Sequence, residues 1–145
     1  MQVYTIGFTK KSAAQFFQSI QRAGIKRLLD VRLNNSSQLA AFSKKEDLTY
    51  FLKVICAVEY MHLPLLAPTK DILDEYKNQK GCWTTYAKKF TELMQSRKIE
   101  ESLDPHLFDV PCVLLCSEPN AEHCHRRLVL EYLQGAWGNI TVKHL

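Results

Sequence analysis

The sequence predicts one α/β domain over residues 1–145, with a mostly parallel sheet of about five strands and helices on both faces. Short β-branched or apolar runs alternate with stretches of helical periodicity, which is typical of parallel sheets with crossover helices. The most apolar run, residues 110–116, is too short for a helix and has the continuous hydrophobicity of a central strand. No linker or low-complexity tract divides the chain, so its length indicates a single domain.

The first half of the chain contains three predicted strands and two predicted helices. The strands are residues 3–6, 28–31 and 58–63, and the helices are residues 13–23 and 48–55. Ser12 is suited to cap the first helix, and Gly24 stands where that helix should end. The polar residues 33–45 are predicted to form a mobile loop.

The second half begins with helices and ends with two strands. Thr69 is suited to cap a helix through Tyr76, and a longer helix is predicted after Gly81. Its apolar stripe consists of Tyr86, Phe90, Leu93 and Met94. After the central strand, residues 121–133 are predicted to be a helix and residues 140–144 the last strand.

Composition excludes several classes of protein. The chain is 46% hydrophobic and 23% charged, as in ordinary globular domains, and its net charge of +4 suits an anionic ligand without indicating nucleic acid. No apolar run approaches the roughly 20 residues of a membrane span, and the N-terminus does not resemble a signal peptide. We therefore expect a cytoplasmic location and no membrane partner. The odd number of cysteines, five, argues against a disulfide framework.

Polar residues follow several predicted strands, at the edge where open α/β sheets bind ligands. These candidate substrate-binding residues are Gly7, Asp30, Arg32, His62 and, beside Cys116, Ser117. Asp30 and Arg32 lie two positions apart, so their side chains share one face of a strand. Either the two side chains form a salt bridge that closes the strand end, or Asp30 orients Arg32 toward a ligand.

The segment from Cys116 to Arg127 joins a strand to a helix and is the richest in reactive side chains. The first turn of a helix presents free backbone N–H groups, which suit an anion. Arg126 and Arg127 are expected to clamp a phosphate or carboxylate there. The alternative is that both arginines pair with nearby glutamates such as Glu122 on the surface.

Cys116 and Cys124 have three interpretations. In the first, one of them is a nucleophile, because a helix start and nearby arginines lower the pKa of a thiol. Glu118 or His125 would then act as the acid or base. Alternatively, they bind a metal together with histidine, although adjacent residues of a helix should not converge easily on one ion. In the third interpretation both are packed core thiols. We favour pocket thiols without a metal.

Several short motifs resemble the family of uncharacterised proteins known as domain of unknown function 488. They are Tyr4-Thr5-Ile6-Gly7, Leu29-Asp30-Val31-Arg32, Tyr60-Met61-His62-Leu63-Pro64, Leu114-Leu115-Cys116-Ser117-Glu118 and Cys124-His125-Arg126. The resemblance runs nearly end to end, and the last two motifs are the specific ones. It implies a small α/β domain in which these segments meet in a pocket, and it implies no particular reaction.

Three positions depart from the pattern of that family. Phe8 stands where the family usually has histidine, Leu33-Asn34 lacks the usual proline, and Leu66-Ala67 replaces a Leu-Gly pair. If these positions shape the pocket, the specificity or activity of this member should differ. The cysteine motifs are kept, which favours a working pocket.

The leading hypothesis is an enzyme that acts on a phosphate-bearing substrate such as a nucleotide or nucleic acid. Arg32, Arg126 and Arg127 would bind the anion, and Cys116 or Cys124 would be the nucleophile. The alternative is a non-catalytic module that binds nucleic acid or a protein through the same pocket. The sequence indicates no cofactor.

Overall fold

The computed structural model describes residues 1–145 and confirms the predicted α/β class. Five strands form one sheet in the order β3-β2-β4-β1-β5, and every neighbouring pair is parallel. The strands are β1 (Gln2–Gly7), β2 (Arg27–Asp30), β3 (Glu59–His62), β4 (Cys112–Cys116) and β5 (Thr141–His144). The apolar run that predicted a central strand is β4, whose five residues are all buried.

Six α-helices and four shorter helical turns connect the strands. The α-helices are α1 (Ala13–Arg22), α2 (Lys45–Phe51), α3 (Lys70–Lys77), α4 (Trp83–Arg97), α5 (Ile99–Ser102) and α6 (His125–Trp137). Ser12 and Gln15 form a capping box at the start of α1, and Thr69 caps α3, as their positions predicted. None of the helices combines the length and the apolar character that a membrane span requires.

The apolar side chains form one cluster on each face of the sheet, as the prediction of helices on both faces required. Phe16 and Ile20 of α1 pack with Leu48 of α2 on one face. Phe90 of α4 and Val129 of α6 belong to the cluster on the other face. Alternation along β4 sends the side chain of Cys116 to the face of α4 and α6.

Several predicted boundaries differ from the structure by one to four residues, and three segments differ in kind or in where they begin. Residues 52–56 form a π-helical turn after α2 rather than the end of an α-helix, and the segment predicted as a mobile loop contains the 3-10 turn Gln38–Ser43. The last helix begins at His125 instead of residue 121. Its start is delayed because Cys124, with φ of −135° and ψ of 140°, is extended and occupies the cap position.

The connections leave a crevice between the carboxyl ends of β2 and β4. After β2 the chain passes to the face of α1 and α2, whereas after β4 it passes to the face of α4 and α6. Adjacent parallel strands whose connections diverge in this way open a gap at the sheet edge, where ligands of α/β proteins bind. The fold therefore places the ends of β2 and β4 at the mouth of a natural binding site.

We predict that Leu114→Ala lowers the free energy of unfolding by about 2–5 kcal/mol, because Leu114 is fully buried in β4 and truncation leaves a cavity. Urea unfolding measures the change. The matched control is Leu39→Ala, at a position 94% exposed, which should change the same free energy by less than about 0.5 kcal/mol. Equal effects at both positions would contradict the described core.

Candidate functional site

A cavity of about 140 Å³ lies in this crevice. One wall is the segment after β2, a second comes from α3 and α4, and the third is the loop from β4 to α6. We call residues 117–124 of that loop the site loop. The lining residues are Arg32, Leu33, Asn34, Pro68, Leu73, Tyr76, Lys77, Tyr86, Cys116, Ser117, Glu118, His123, Cys124 and His125.

Cys116 and His125 face each other at the wall of the cavity. The Cys116 Sγ lies 3.5 Å from His125 Nδ1, and the Nε2 of the same ring lies 2.7 Å from the carbonyl oxygen of Val31. Because a carbonyl can only accept a hydrogen bond, Nε2 carries the hydrogen and Nδ1 is left with a lone pair toward the thiol. A thiol, a proton acceptor and a third group that fixes the acceptor are thus aligned.

The surroundings of Cys116 favour its thiolate. The Cys124 thiol donates to Cys116, and the backbone N–H groups of Ser117 and Glu118 and the charge of Arg126 add to this effect, so the pKa of Cys116 is lowered despite complete burial. The pKa of Cys124 is raised by its bond to Cys116 and by burial. Of the two thiols, Cys116 therefore ionises more readily.

Arg126 lies behind the site loop rather than in the cavity. Its guanidinium is 1% exposed, and its Nη1 donates to the carbonyl oxygen of Glu118 at 2.6 Å and contacts the Cys124 Sγ at 3.5 Å. No carboxylate pairs with it, and its Nε has no partner. A buried cation of this kind favours a negative charge nearby, and Arg126 accordingly contributes to the lowered pKa of Cys116.

Gly7 permits the close contact between β1 and the site loop. A Cβ atom added at Gly7 would lie 1.6 Å from the Glu118 carbonyl oxygen and 3.1 Å from the Arg126 Nη1. Thr9 donates its backbone N–H to the Ser117 carbonyl oxygen at 3.2 Å, which also joins the end of β1 to the loop. Gly7 thus acts through the loop and does not line the cavity.

Asp30 and Arg32 form a buried ion pair at the end of β2. Arg32 Nε and Nη2 each donate to a different carboxylate oxygen of Asp30 at 2.8 Å, and Arg32 also donates to Ser43. Tyr60 donates to Asp30 Oδ2 at 2.5 Å. Four of the five guanidinium N–H bonds are therefore occupied. Arg32 lines the cavity with little donor capacity left for a ligand.

The remaining predicted residues divide between the cavity and the surface. Ser117 and Glu118 line the cavity, and the Glu118 carboxylate pairs with Lys77 of α3. His62 lies outside it and contacts the Arg32 carbonyl oxygen through Nε2 at 3.0 Å. Arg127 lies at the surface, where it pairs with Glu131 at 2.8 Å, so the alternative of a surface ion pair describes its contacts.

Cys116, Cys124 and His125 also have the donor types of a zinc site. Their donor atoms lie within 4.8 Å of one another, and the 3.5 Å between Cys116 Sγ and His125 Nδ1 suits a tetrahedral ion with a Zn–S distance of about 2.3 Å and a Zn–N distance of about 2.1 Å. The expectation that adjacent helical residues diverge does not apply, since Cys124 precedes α6 with an extended backbone. These three side chains could hold a metal ion, and a metal-free site stays a prediction.

Comparison with known proteins identifies the family. Residues 12–133 match the family described as domain of unknown function DUF488. The chain belongs to the DUF488 family. No curated protein and no solved structure matches it. The family assignment confirms the resemblance inferred from the cysteine motifs.

The three departures from the DUF488 pattern lie in or near the site. The Phe8 ring lies 5.4 Å from the Arg32 guanidinium, within the range of a cation–π contact. Asn34 lines the cavity. Ala67 is fully buried, and its carbonyl oxygen accepts a hydrogen bond from Arg97. Asn34 is thus placed to affect the pocket directly, and Phe8 through its contact with Arg32.

Sequence reasoning missed the wall formed by α3 and α4 in this DUF488 protein. Lys77 and Tyr76 come from α3, Tyr86 comes from α4, and His123, whose ring centroid lies 5.1 Å from that of Trp83, completes this side. The strand-end rule finds residues adjacent to strands, whereas these helices reach the strand ends from a distance along the chain. His123 precedes α6, whereas the prediction placed it within a helix that begins at residue 121.

We predict that Gly7→Ala lowers the free energy of unfolding by about 1–3 kcal/mol, because the added methyl group cannot avoid the Glu118 backbone. Urea unfolding measures this change. Gly135→Ala in α6 is the control, since no atom lies within 4 Å of its added Cβ. That control should stabilise the protein by about 0.5–1 kcal/mol, and a tolerated Gly7→Ala would contradict the close contact of β1 with the loop.

We predict that Asp30→Asn lowers the free energy of unfolding at pH 7 by about 3–5 kcal/mol, because it leaves the Arg32 charge buried and unpaired. Burial alone would raise the pKa of Asp30, but hydrogen bonds and charge from Arg32 and the bond from Tyr60 outweigh it and lower the pKa. The stabilisation is complete above the unfolded-state pKa of about 3.9 and is lost as pH falls through the folded-state pKa.

Urea unfolding of the wild type and Asp30→Asn between pH 7 and strongly acidic pH tests both parts of this prediction. The difference between the two proteins should shrink as pH falls below about 4. Glu59→Gln removes the exposed partner of Arg27 and should cost less than about 1 kcal/mol at pH 7. A pH-independent difference for Asp30→Asn would contradict a lowered pKa.

Proposed function

We propose that this DUF488 protein is an enzyme in which Cys116 is the nucleophile, His125 is its general base and the substrate is a phosphate-bearing small molecule such as a nucleotide. The observation that carries the proposal is the 3.5 Å contact between Cys116 Sγ and His125 Nδ1 at the cavity wall. Covalent catalysis by cysteine uses a thiol next to a base that a third group orients.

The proposed reaction is a nucleophilic displacement. His125 Nδ1 accepts the proton of Cys116, and the thiolate attacks the electrophilic atom of the substrate. A bond forms between Sγ and that atom while the bond to the leaving group breaks, and the leaving group takes the proton from His125. Water or a second acceptor then releases the group held on Cys116. The Val31 carbonyl keeps Nδ1 of His125 directed at Cys116 throughout.

An anionic substrate is favoured by the groups at the open side of the cavity. Lys77 brings an ammonium group to the wall, where it pairs with the Glu118 carboxylate and would have to exchange that partner for a phosphate. The backbone N–H groups at the start of α6 carry the positive end of the helix dipole. Both could contact a phosphate beside Cys116. Arg126 supports the same site from behind, through its charge on the thiolate.

The size of the cavity favours a small molecule over a nucleic-acid strand. Its volume of about 140 Å³ admits a phosphate group and a few neighbouring atoms. We therefore place the phosphate-bearing end of a small substrate in the cavity.

The proposal is tested by alkylating the protein, after treatment with a metal chelator, with neutral iodoacetamide and with anionic iodoacetate. Peptide mass spectrometry measures the rate at each of the five cysteines. Cys116 should react with iodoacetamide faster than Cys112, a buried thiol of the same strand whose pKa burial raises to about 12. We compare the rate with iodoacetate to the rate with iodoacetamide at each cysteine. This ratio should be about fivefold higher at Cys116 than at the exposed Cys82. A factor of about five corresponds to roughly 1 kcal/mol of attraction between the anionic reagent and the site.

Two further measurements separate the parts of this proposal. Inorganic phosphate should slow alkylation of Cys116 without affecting Cys82, and Lys77→Met should remove the preference for iodoacetate while leaving the reaction with iodoacetamide. If Cys116 reacts no faster than Cys112, the nucleophile is wrong and a binding module is favoured. If Cys116 is reactive but shows neither anionic preference nor protection, the substrate class is wrong.

A further inference from the structure

Two thiols face the same cavity from opposite ends of the site loop. Cys116 is the last residue of β4 and Cys124 is the cap of α6, so seven residues separate them in the chain. Their Sγ atoms and a His125 ring nitrogen all lie within 4.8 Å of one another. A nucleophilic enzyme of the kind proposed above requires only one of these thiols, so the second is unexplained.

The other three cysteines are separated from this pair. Cys82 is exposed at the start of α4, and Cys56 is half-buried at the end of the π-helical turn. Cys112 lies four residues before Cys116, about 13 Å away along an extended strand. A disulfide needs the two sulfur atoms about 2.05 Å apart, and Cys116 and Cys124 need the smallest rearrangement to reach that distance.

The two thiols are chemically unequal in a way that suits successive roles. The Cys116 Sγ lies 3.5 Å from His125 Nδ1 at the cavity wall, where a thiol can pass its proton to the base and attack. The Cys124 Sγ lies within 4.8 Å of the donor atoms of Cys116 and His125, so it is placed to attack a group bound to Cys116. Thiol–disulfide exchange uses one thiolate to attack and a second thiol to displace the bound group.

We propose that Cys116 and Cys124 form a reversible dithiol–disulfide pair that reacts with low-molecular-weight disulfides, with Cys116 attacking and Cys124 resolving. The proposal rests on the nucleophilic Cys116 of the proposed function and adds the second thiol and a disulfide as co-reactant. Cys124 is thereby a resolving residue, since it breaks the bond that Cys116 forms.

Both steps of the exchange balance. The Cys116 thiolate attacks one sulfur of the disulfide, the S–S bond breaks, and the first thiolate leaves and takes a proton from solvent. Cys124 then transfers its proton to His125 and attacks the Cys116 sulfur, and the second leaving thiolate takes that proton from His125. Two electrons pass from the protein dithiol to the disulfide, which yields two thiols and a Cys116–Cys124 disulfide.

The oxidised pair would hold the site in an inactive but recoverable form. A disulfide bond occupies the Cys116 sulfur, so the residue can neither attack a substrate nor be oxidised irreversibly to a sulfinic acid. Reduction by a dithiol restores the thiolate. Cys124 would therefore protect the reactive residue beside it.

The test uses oxidised glutathione on the full chain with Cys82→Ser, which removes the exposed thiol, after treatment with a chelator. The otherwise unmodified protein should lose two hydrogen atoms without gaining a glutathionyl group, and peptide mapping should link Cys116 to Cys124. Adding Cys124→Ser should leave one glutathionyl group on Cys116, and adding Cys116→Ser should abolish both products. Dithiothreitol should restore alkylation of Cys116.

The outcomes distinguish this inference from the proposed function. A persistent glutathionyl group on Cys116 while Cys124 is intact, or a link to Cys56 or Cys112, would overturn the pair even if iodoacetamide still alkylates Cys116. A Cys116 that reacts with neither reagent would overturn both. The result on the protein with Cys116 and Cys124 intact decides the matter without relying on how well the serine variants fold.

Discussion

The buried positive charge of Arg126 is the constraint on which the site depends. A guanidinium removed from water without a carboxylate partner costs several kcal/mol unless other groups compensate it. Here compensation comes from the Glu118 carbonyl oxygen, the Cys124 sulfur and the Cys116 thiolate. The same guanidinium therefore holds the site loop through the Glu118 carbonyl oxygen and adds to the effects that lower the pKa of Cys116.

The sheet supplies the rigid support that this arrangement requires. Gly7 lets the loop approach β1 more closely than any side chain would permit, and the Val31 carbonyl after β2 fixes the tautomer of His125. The ion pair of Asp30 and Arg32 holds the end of β2 from within the protein. Cys116 and His125 are thus positioned by three neighbouring strands rather than by the loop alone.

The sequence predicted the parts of the site that depend on local order. Apolar runs located the strands, and the strand-end rule then found Cys116 and Asp30, because neighbouring parallel strands end at one edge. It misjudged Arg126 and Arg127, since their orientation depends on where α6 begins, and one extended residue, Cys124, moved that start. Lys77 could not be predicted as a site residue, because α3 meets the site only through the packing of segments that are distant in the chain.

Charge balance also connects the proposed substrate with the thiol chemistry. When the Cys116 thiolate forms a covalent bond it loses its negative charge, which leaves Arg126 with only the Glu118 carbonyl oxygen and the Cys124 sulfur to compensate it. A neutral group on Cys116 would leave this deficit in place. A phosphate-bearing group would bring a negative charge into the same cavity and reduce it. Electrostatics alone therefore makes an anionic intermediate on Cys116 less costly than a neutral one. The Cys116–Cys124 disulfide also lacks the negative charge of the thiolate, so reduction should readily reverse it.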